Sequence, residues 1–196
     1  MAIDTKIFDV FLDWNLKIMT LSPKFIADIQ SLIQEQRLKK GAILLNSRET
    51  PLKYWWIFKG CAREFRLDYN QLITDQTQWF WYDGDFIYTM PGFFSQRASD
   101  SYIELLEDSH LLYIEFQTYK LLKARYEEAE QYWELIREQF KVSVFQHLTE
   151  MRSLSAKERY LSLFKAHPKL FYLAKQKDIA YFLGIKADTL SRLRRS

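Results

Sequence analysis

The chain alternates between two hydrophobic periodicities. Close to the N-terminus, apolar residues recur every three or four positions, which is the spacing of one face of a helix. That face consists of Ile7, Phe11, Trp14 and Ile18. Ser22, followed by Pro23 at the first helical position, predicts the start of a second helix, which we expect to end near Arg37.

Beyond Gly41 the period changes to two, which predicts short strands separated by turns. The predicted strands are residues 54–58, 61–69, 72–82, 102–106 and 111–116. A turn is predicted at Asp68-Tyr69-Asn70-Gln71. Short strands with a turn signal roughly every ten residues favour a β-sandwich or a jelly-roll barrel.

Helical periodicity returns from Gln117, and the longest helix is predicted over residues 127–152. Its apolar positions form a narrow seam, which is typical of two helices packed together and predicts a dimer contact. The seam consists of Trp133, Ile136, Phe140, Val144 and Met151, with His147 or Leu148 at the turn between the last two. Ser155 and Glu158 form a capping box for another helix, and two short helices divided by Gly184 follow.

These elements predict an α+β protein built from an N-terminal β jelly roll with flanking helices, a long dimerisation helix and a small helical domain. The expected boundaries are residues 1–126 for the roll, 127–152 for the long helix and 153–196 for the C-terminal domain. The aromatic content of 17% fits either a packed interior or an aromatic-lined pocket. Strand alternation places Trp55 and Trp56 on opposite faces, so the aromatic residues cannot all line one cavity.

Composition removes several classes of function. The single cysteine, Cys61, excludes a disulfide framework, a thiolate zinc site and a cysteine-ligated iron–sulfur cluster within one chain. The three histidines are scattered, and neither a nucleophile–histidine arrangement nor a glycine-rich phosphate loop is evident. No segment reaches the roughly 18 uncharged residues of a membrane span, and the first residues are not a signal peptide. We therefore expect a cytoplasmic protein with no metal, cofactor, catalytic residue or membrane partner.

The positive charge is unevenly distributed. Of the 28 basic and 25 acidic residues, six basic and two acidic ones lie in residues 175–196, so the remaining chain carries 22 and 23. A basic end on a nearly neutral body suits an anionic partner, although cations also gather at helix C-termini because of the helix dipole.

The same segment has the pattern of a helix-turn-helix. Ala180 is small where two helices would cross, and Gly184 supplies the positive φ of the turn. The predicted buried positions are Ile179, Leu183, Ile185, Leu190 and Leu193. The second helix then exposes short polar and cationic side chains of the kind that contact DNA. An ordinary helical hairpin is the alternative.

This segment resembles the DNA-binding end of the Crp/Fnr transcription regulators, through the pattern Ile-Ala-x-x-Leu-Gly-Ile-x-x-x-Thr-Leu-Ser-Arg-x-Arg over residues 179–194. Lys40-Gly41, Gly60, Asp83-Gly84-Asp85-Phe86 and residues 103–109 look like the framework of that family's sensor domain. The resemblance implies a cyclic-nucleotide-binding-like jelly roll, a dimerisation helix and a helix-turn-helix. It also implies a homodimer that binds double-stranded DNA and regulates transcription.

The resemblance implies an effector pocket at Gly84, Asp85, Arg97 and Ser99, but with departures. Members that bind cyclic AMP follow the glycine with a glutamate for the ribose, and later place an arginine for the phosphate. Here Asp85 follows Gly84, and the arginine position falls near Ser99, two residues from Arg97. The interpretation is a degenerate pocket that does not bind cyclic AMP, with an unknown small-molecule effector left open.

The resemblance also assigns roles along the second helix. The residues expected to face bases are Ala187, Asp188, Ser191 and Arg192, and those expected at phosphates are Lys177, Thr189, Arg194 and Arg195. Members that read a GTGA-type half-site have arginine and glutamate where Ala187 and Asp188 stand, so a different operator is implied. The rival hypothesis is a ligand-binding jelly-roll protein whose helical tail mediates protein contacts.

Overall fold

The computed structural model describes residues 3–68 and 74–195. Two helices lead into the fold, α1 (Thr5–Leu16) and α2 (Pro23–Leu32). Eight strands follow, β1 (Gln34–Leu38), β2 (Ile43–Leu45), β3 (Lys53–Lys59), β4 (Ala62–Asp68), β5 (Thr74–Trp81), β6 (Phe86–Ile87), β7 (Tyr102–Leu105) and β8 (Ser109–Glu115). Six helices complete it, α3 (Phe116–Arg125), α4 (Glu128–Ser153), α5 (Ala156–Ala166), α6 (Leu170–Leu173), α7 (Gln176–Phe182) and α8 (Ala187–Leu193).

The strands form two four-stranded antiparallel sheets, in the orders β1-β8-β3-β6 and β2-β7-β4-β5. We call them sheet A and sheet B. Strand β3 is buried on both faces, which explains its aromatic run. Trp55 and Ile57 point into the roll between the sheets, whereas Tyr54 and Trp56 pack against the helices. The predicted opposition of Trp55 and Trp56 is therefore confirmed.

The second predicted helix is shorter than expected. It ends at Leu32, and Gln34–Leu38 is instead strand β1, paired with Ser109–Tyr113 of β8. Pairing with β8 satisfies the backbone of this polar stretch, so tertiary structure overrides the local helical signal. Strands β2 and β6 were not predicted, and the predicted 72–82 strand ends at Trp81. Residues 69–73, which include most of the predicted turn, lie outside the described residues.

The helical half follows the predicted order. The long helix is confirmed as α4, and the capping box is confirmed because Ser155 Oγ accepts from the Glu158 N–H while Glu158 accepts from the Ser155 N–H. One apolar core cluster joins sheet A to the N-terminal helices, α3 and the first half of α4. Another fills the roll. Within the described residues, no helix is long and apolar enough to cross a membrane.

Candidate nucleic-acid interface and effector pocket

Helices α7 and α8 form a helix-turn-helix around Gly184. Its φ of +62° is in the left-handed region that favours glycine, as the sequence predicted. The Ile185 N–H donates to the Ala180 carbonyl at 2.9 Å and closes the turn. Ile179, Ala180 and Leu190 are buried beneath it. A side chain at residue 184 would collide with the Met151 methyl group of α4, so the turn also packs on the long helix.

One face of α8 carries the residues predicted to face DNA bases. Ala187, Asp188 and Arg192 are exposed, and Ser191 is half-buried. They lie on the side of the helix opposite Leu190, because residues four apart share a face. Beyond them the Arg195 guanidinium donates to the Ser191 carbonyl and hydroxyl, each at 3.3 Å, which ties the end of the helix to this face.

The predicted phosphate contacts divide into two groups. Thr189, Arg194 and Arg195 stand on or directly after α8, and both arginines are exposed. Lys177, at the start of α7, instead forms an ion pair with Asp75 of strand β5 in the jelly roll. Lys177 therefore differs from the other predicted phosphate contacts in having a carboxylate partner in the sensor. Gln176, which the sequence did not single out, donates to the Ala187 carbonyl at 2.9 Å and joins the N-termini of the two helices.

The predicted effector residues differ in their local contacts and exposure. Gly84 has a φ of +88°, and Asp85 accepts a hydrogen bond from the Tyr82 N–H at 2.7 Å. Burial, helped by the nearby charge of Asp83, raises the pKa of Asp85 to about 6. Ser99 is buried and accepts from the Ser101 N–H at 3.1 Å. Arg97 is exposed and makes no hydrogen bond or ion pair within the described residues.

Aromatic rings of the roll and of α4 contact one another where the long helix packs on the sensor. Phe140 of α4 lies 4.6 Å from the ring of Trp81, 5.2 Å from Tyr88 and 5.4 Å from Trp79, measured between ring centroids. The same rings line an open cleft of about 900 Å³, which runs along β5, α4 and α5 to α7. Its walls carry His147, stacked on Phe182 at 4.3 Å, and His167, stacked on Tyr82 at 3.5 Å. Burial lowers the pKa of both histidines.

No protein-family profile matches the chain, and no curated protein sequence matches it significantly. Solved structures match most of it. A putative transcriptional regulator of the Crp/Fnr family from Eubacterium rectale superimposes with a TM-score of 0.68 at 17% identity, covering 97% of this chain and 86% of that one. FixK2 from Bradyrhizobium japonicum gives 0.67 at 16% identity, covering 84% and 83%. CLP of Xanthomonas campestris, described as a c-di-GMP-responsive global regulator, gives 0.65 at 10% identity, covering 89% and 90%.

The chain has the Crp/Fnr fold. The fold predicted from the helix-turn-helix pattern and the sensor framework is thereby confirmed. At these identities the likeness concerns architecture, so the roles of individual residues depend on this chain's own geometry.

Within this Crp/Fnr fold, the predicted dimer seam on α4 faces its own chain. Trp133 and Ile136 are 1% and 2% exposed and pack with Phe25 and Tyr119 in the core of the sensor. A second copy cannot reach them, so the prediction was wrong for these two residues. Helical periodicity identifies a covered face but not what covers it, and here α2 and α3 do.

The other seam residues contact the same chain or are partly buried by it. Phe140 packs on the aromatic cluster, Met151 contacts the helix-turn-helix at Gly184, and Val144 is half-buried. The exposed apolar face of α4 lies elsewhere. It consists of Val142, Phe145 and Leu148, which are 59%, 72% and 50% exposed.

Arg63 is a residue that sequence reasoning did not assign to any site. It lies on β4 with its side chain 5% exposed, and its guanidinium contacts carboxylates of both the sensor and α7. The available signal was its position in the period-two strand, on the same face as Cys61 and Phe65. A cation on an otherwise apolar strand face indicates a buried ion pair when the partner is on another element.

Proposed function

We propose that the protein is a homodimeric transcription regulator that binds double-stranded DNA through α8 and whose sensor does not bind cyclic AMP. The observation that carries the proposal is the face of α8, on which Ala187, Asp188, Ser191 and Arg192 stand together above a buried apolar face. A recognition helix of a helix-turn-helix presents such short polar and cationic side chains to the major groove.

The residues on this face divide between sequence readout and positioning. Arg192 lies one turn into α8, where its guanidinium can span the two acceptors of a guanine. Ala187 offers only a methyl group, which suits a thymine methyl and supports an operator other than the GTGA type. Arg194 and Arg195 follow at the end of the helix, where the chain leaves the groove and passes phosphates, and Thr189 adds a hydroxyl.

The outward face of α4 supplies the proposed dimer contact. Val142, Phe145 and Leu148 recur at intervals of three along the helix and are exposed in the single chain. A second copy of α4 packed on this stripe would bury it in an isologous contact. Two helix-turn-helix units would then meet DNA about 34 Å apart, one turn of the duplex, across a pseudo-palindromic site.

The interior of the sensor supports the absence of cyclic AMP binding. A buried cyclic phosphate needs a cationic partner, and Arg97 is exposed whereas Ser99 uses its hydroxyl within the loop. Phe140 and Trp81 meanwhile pack against each other between the roll and α4. A different effector, bound without a charged phosphate contact, stays compatible with this interior.

A fluorescence-anisotropy titration of random duplex across a salt series tests the proposal. The wild-type protein should bind with an affinity that falls steeply as salt rises, because phosphate contacts release counterions. Arg195→Ala should weaken that binding, whereas Arg97→Ala, which removes the same charge from the sensor surface, should not. Duplex binding that is absent, or equally weakened by both variants, would favour the rival hypothesis of a tail that mediates protein contacts.

A further inference from the structure

The helix-turn-helix is docked on the outer face of sheet B. Phe182 of α7 contacts the sensor rings of Phe80 at 5.2 Å and Trp79 at 5.8 Å between centroids. The third core cluster contains residues from both units: Cys61, Phe80 and Leu106 from the sensor, and Leu170, Phe171, Ile179, Ala180, Leu183 and Leu190 from the C-terminal helices. The two units therefore share one apolar core.

An ion cluster lies beside this shared core, with Arg63 at its centre. The Arg63 Nε and Nη2 atoms each lie 2.9 Å from Glu104 Oε2 of β7. Its Nη1 lies 2.9 Å from Asp75 Oδ2 of β5 and 3.0 Å from Asp178 Oδ1 of α7. The Asp178 side chain is 1% exposed, so this carboxylate has left water to meet a cation of the sensor.

We propose that the Arg63 cluster is an electrostatic latch, which, together with the shared apolar core, holds the helix-turn-helix on the sensor. Of the three carboxylates that contact Arg63, Asp178 is the one that belongs to the C-terminal helices. If α7 moved away, Arg63 would keep Asp75 and Glu104, so no unpaired guanidinium would stay buried.

The attraction within the latch is opposed by the cost of burying its charges. Burial of an ion pair costs each partner its hydration, and the attraction offsets that cost only in part. The two effects act in opposite directions on Asp178. Burial raises the pKa of its carboxyl, and the Arg63 charge lowers that pKa. Opening would return Asp178 to water and would also release Lys177 from Asp75. A change in the sensor that shifted Arg63 would therefore change how the DNA-binding unit is held.

Hydrogen exchange measured by mass spectrometry on the full chain tests the latch without DNA. Arg63→Met leaves three carboxylates facing one another without the central cation, which should repel α7 from sheet B. We expect exchange in residues 176–193 to rise by about tenfold or more. Exchange in β3 and β8 should stay unchanged. Adding Asp178→Asn removes the repelling charge and should restore most of the protection.

Lys169→Gln is the matched control. It also breaks an ion pair between the two units, because Lys169 Nζ lies 2.7 Å from Glu107 Oε2, but the Lys169 side chain is 59% exposed. Exposed pairs contribute little, so protection should not change.

Unaltered exchange in Arg63→Met would overturn the latch. A rise that also reaches β3 and β8 and is not repaired by Asp178→Asn would overturn it too, because Arg63 would then stabilise the whole fold. Neither outcome depends on whether the protein binds DNA.

Discussion

The sensor buries its aromatic side chains, whereas the helix-turn-helix exposes polar and cationic ones. In the sensor, aromatic rings turn inward and contact one another, as Trp81 and Phe140 do at 4.6 Å. On α8, polar and cationic side chains turn outward, and Asp188 and Arg192 are exposed. In this chain the inward rings stabilise the roll, and the residues proposed to contact DNA lie on a short helix.

The largest expected effect is loss of the proposed dimer when the outer face of α4, the helix between the sensor and the helix-turn-helix, is changed. Phe145→Asp should convert the dimer to a monomer, because a carboxylate would be buried at the centre of the proposed helix pair. Sedimentation velocity measures the result. Leu161→Asp, at an apolar residue of α5 that is 48% exposed, is the control and should leave the dimer intact. A Phe145→Asp protein that stays dimeric would move the interface to another surface.

Substitutions in the interior of the sensor should lower the free energy of unfolding. Trp81→Ala should lower the free energy of unfolding by about 3–5 kcal/mol, since it deletes a buried ring that contacts Phe140 and Tyr88. Urea denaturation followed by circular dichroism gives the value. Tyr172→Ala removes a ring that is 83% exposed and should cost less than about 0.5 kcal/mol. Equal costs for the two variants would contradict the packed interior.

Substitutions on the exposed face of α8 should lower the affinity for DNA without changing the free energy of unfolding. Arg192→Ala should cost about 1–3 kcal/mol of affinity on the preferred duplex and relax the preference at one base pair. Arg195→Ala should instead weaken all sequences alike and lower the salt slope by about one. Selection of preferred duplexes followed by titration separates the two. An Arg192→Ala protein with unchanged preference, or selection of a GTGA-type core, would show that another register of α8 faces the bases.

A smaller, pH-dependent effect is expected at Asp85. Its pKa rises from 3.8 to about 6 on folding, so the folded state favours the protonated carboxyl. The resulting stabilisation is complete below about pH 4 and is lost as the pH rises through 6. Asp85→Asn should therefore remove about 2 kcal/mol from the change in unfolding free energy between pH 4 and pH 7. An identical pH profile for variant and wild type would show that Asp85 keeps its ordinary pKa.

The smallest effect is expected from cyclic AMP, which should not stabilise the protein. A ligand that binds only the folded state raises its unfolding free energy by about RT ln(1 + [L]/Kd). Thermal unfolding with and without millimolar cyclic AMP should therefore give the same midpoint. Micromolar binding measured by calorimetry would contradict the absence of a cationic partner for the cyclic phosphate in the sensor.

Local patterns determined much of the architecture. The capping box at Ser155, the helical turn at Gly184 and the period-two strands each depend on a few neighbouring residues, and the structure has all three. The residues predicted to face DNA bases also lie together, because one short helix carries them all. Side chains on one helix keep their relative positions whatever surrounds it, so the sequence alone can place them.

Tertiary structure decided which surface covers each face. Trp133 and Ile136 have the spacing of a dimer seam, but the helices of the same chain cover them. Gln34–Leu38 became a strand because β8 offered it hydrogen-bond partners. Arg63 and Asp178 are distant in the sequence, and only the docking of α7 on sheet B brings them within 3.0 Å. Periodicity reports that a face is buried, whereas the identity of its neighbour depends on long-range packing that no local pattern contains.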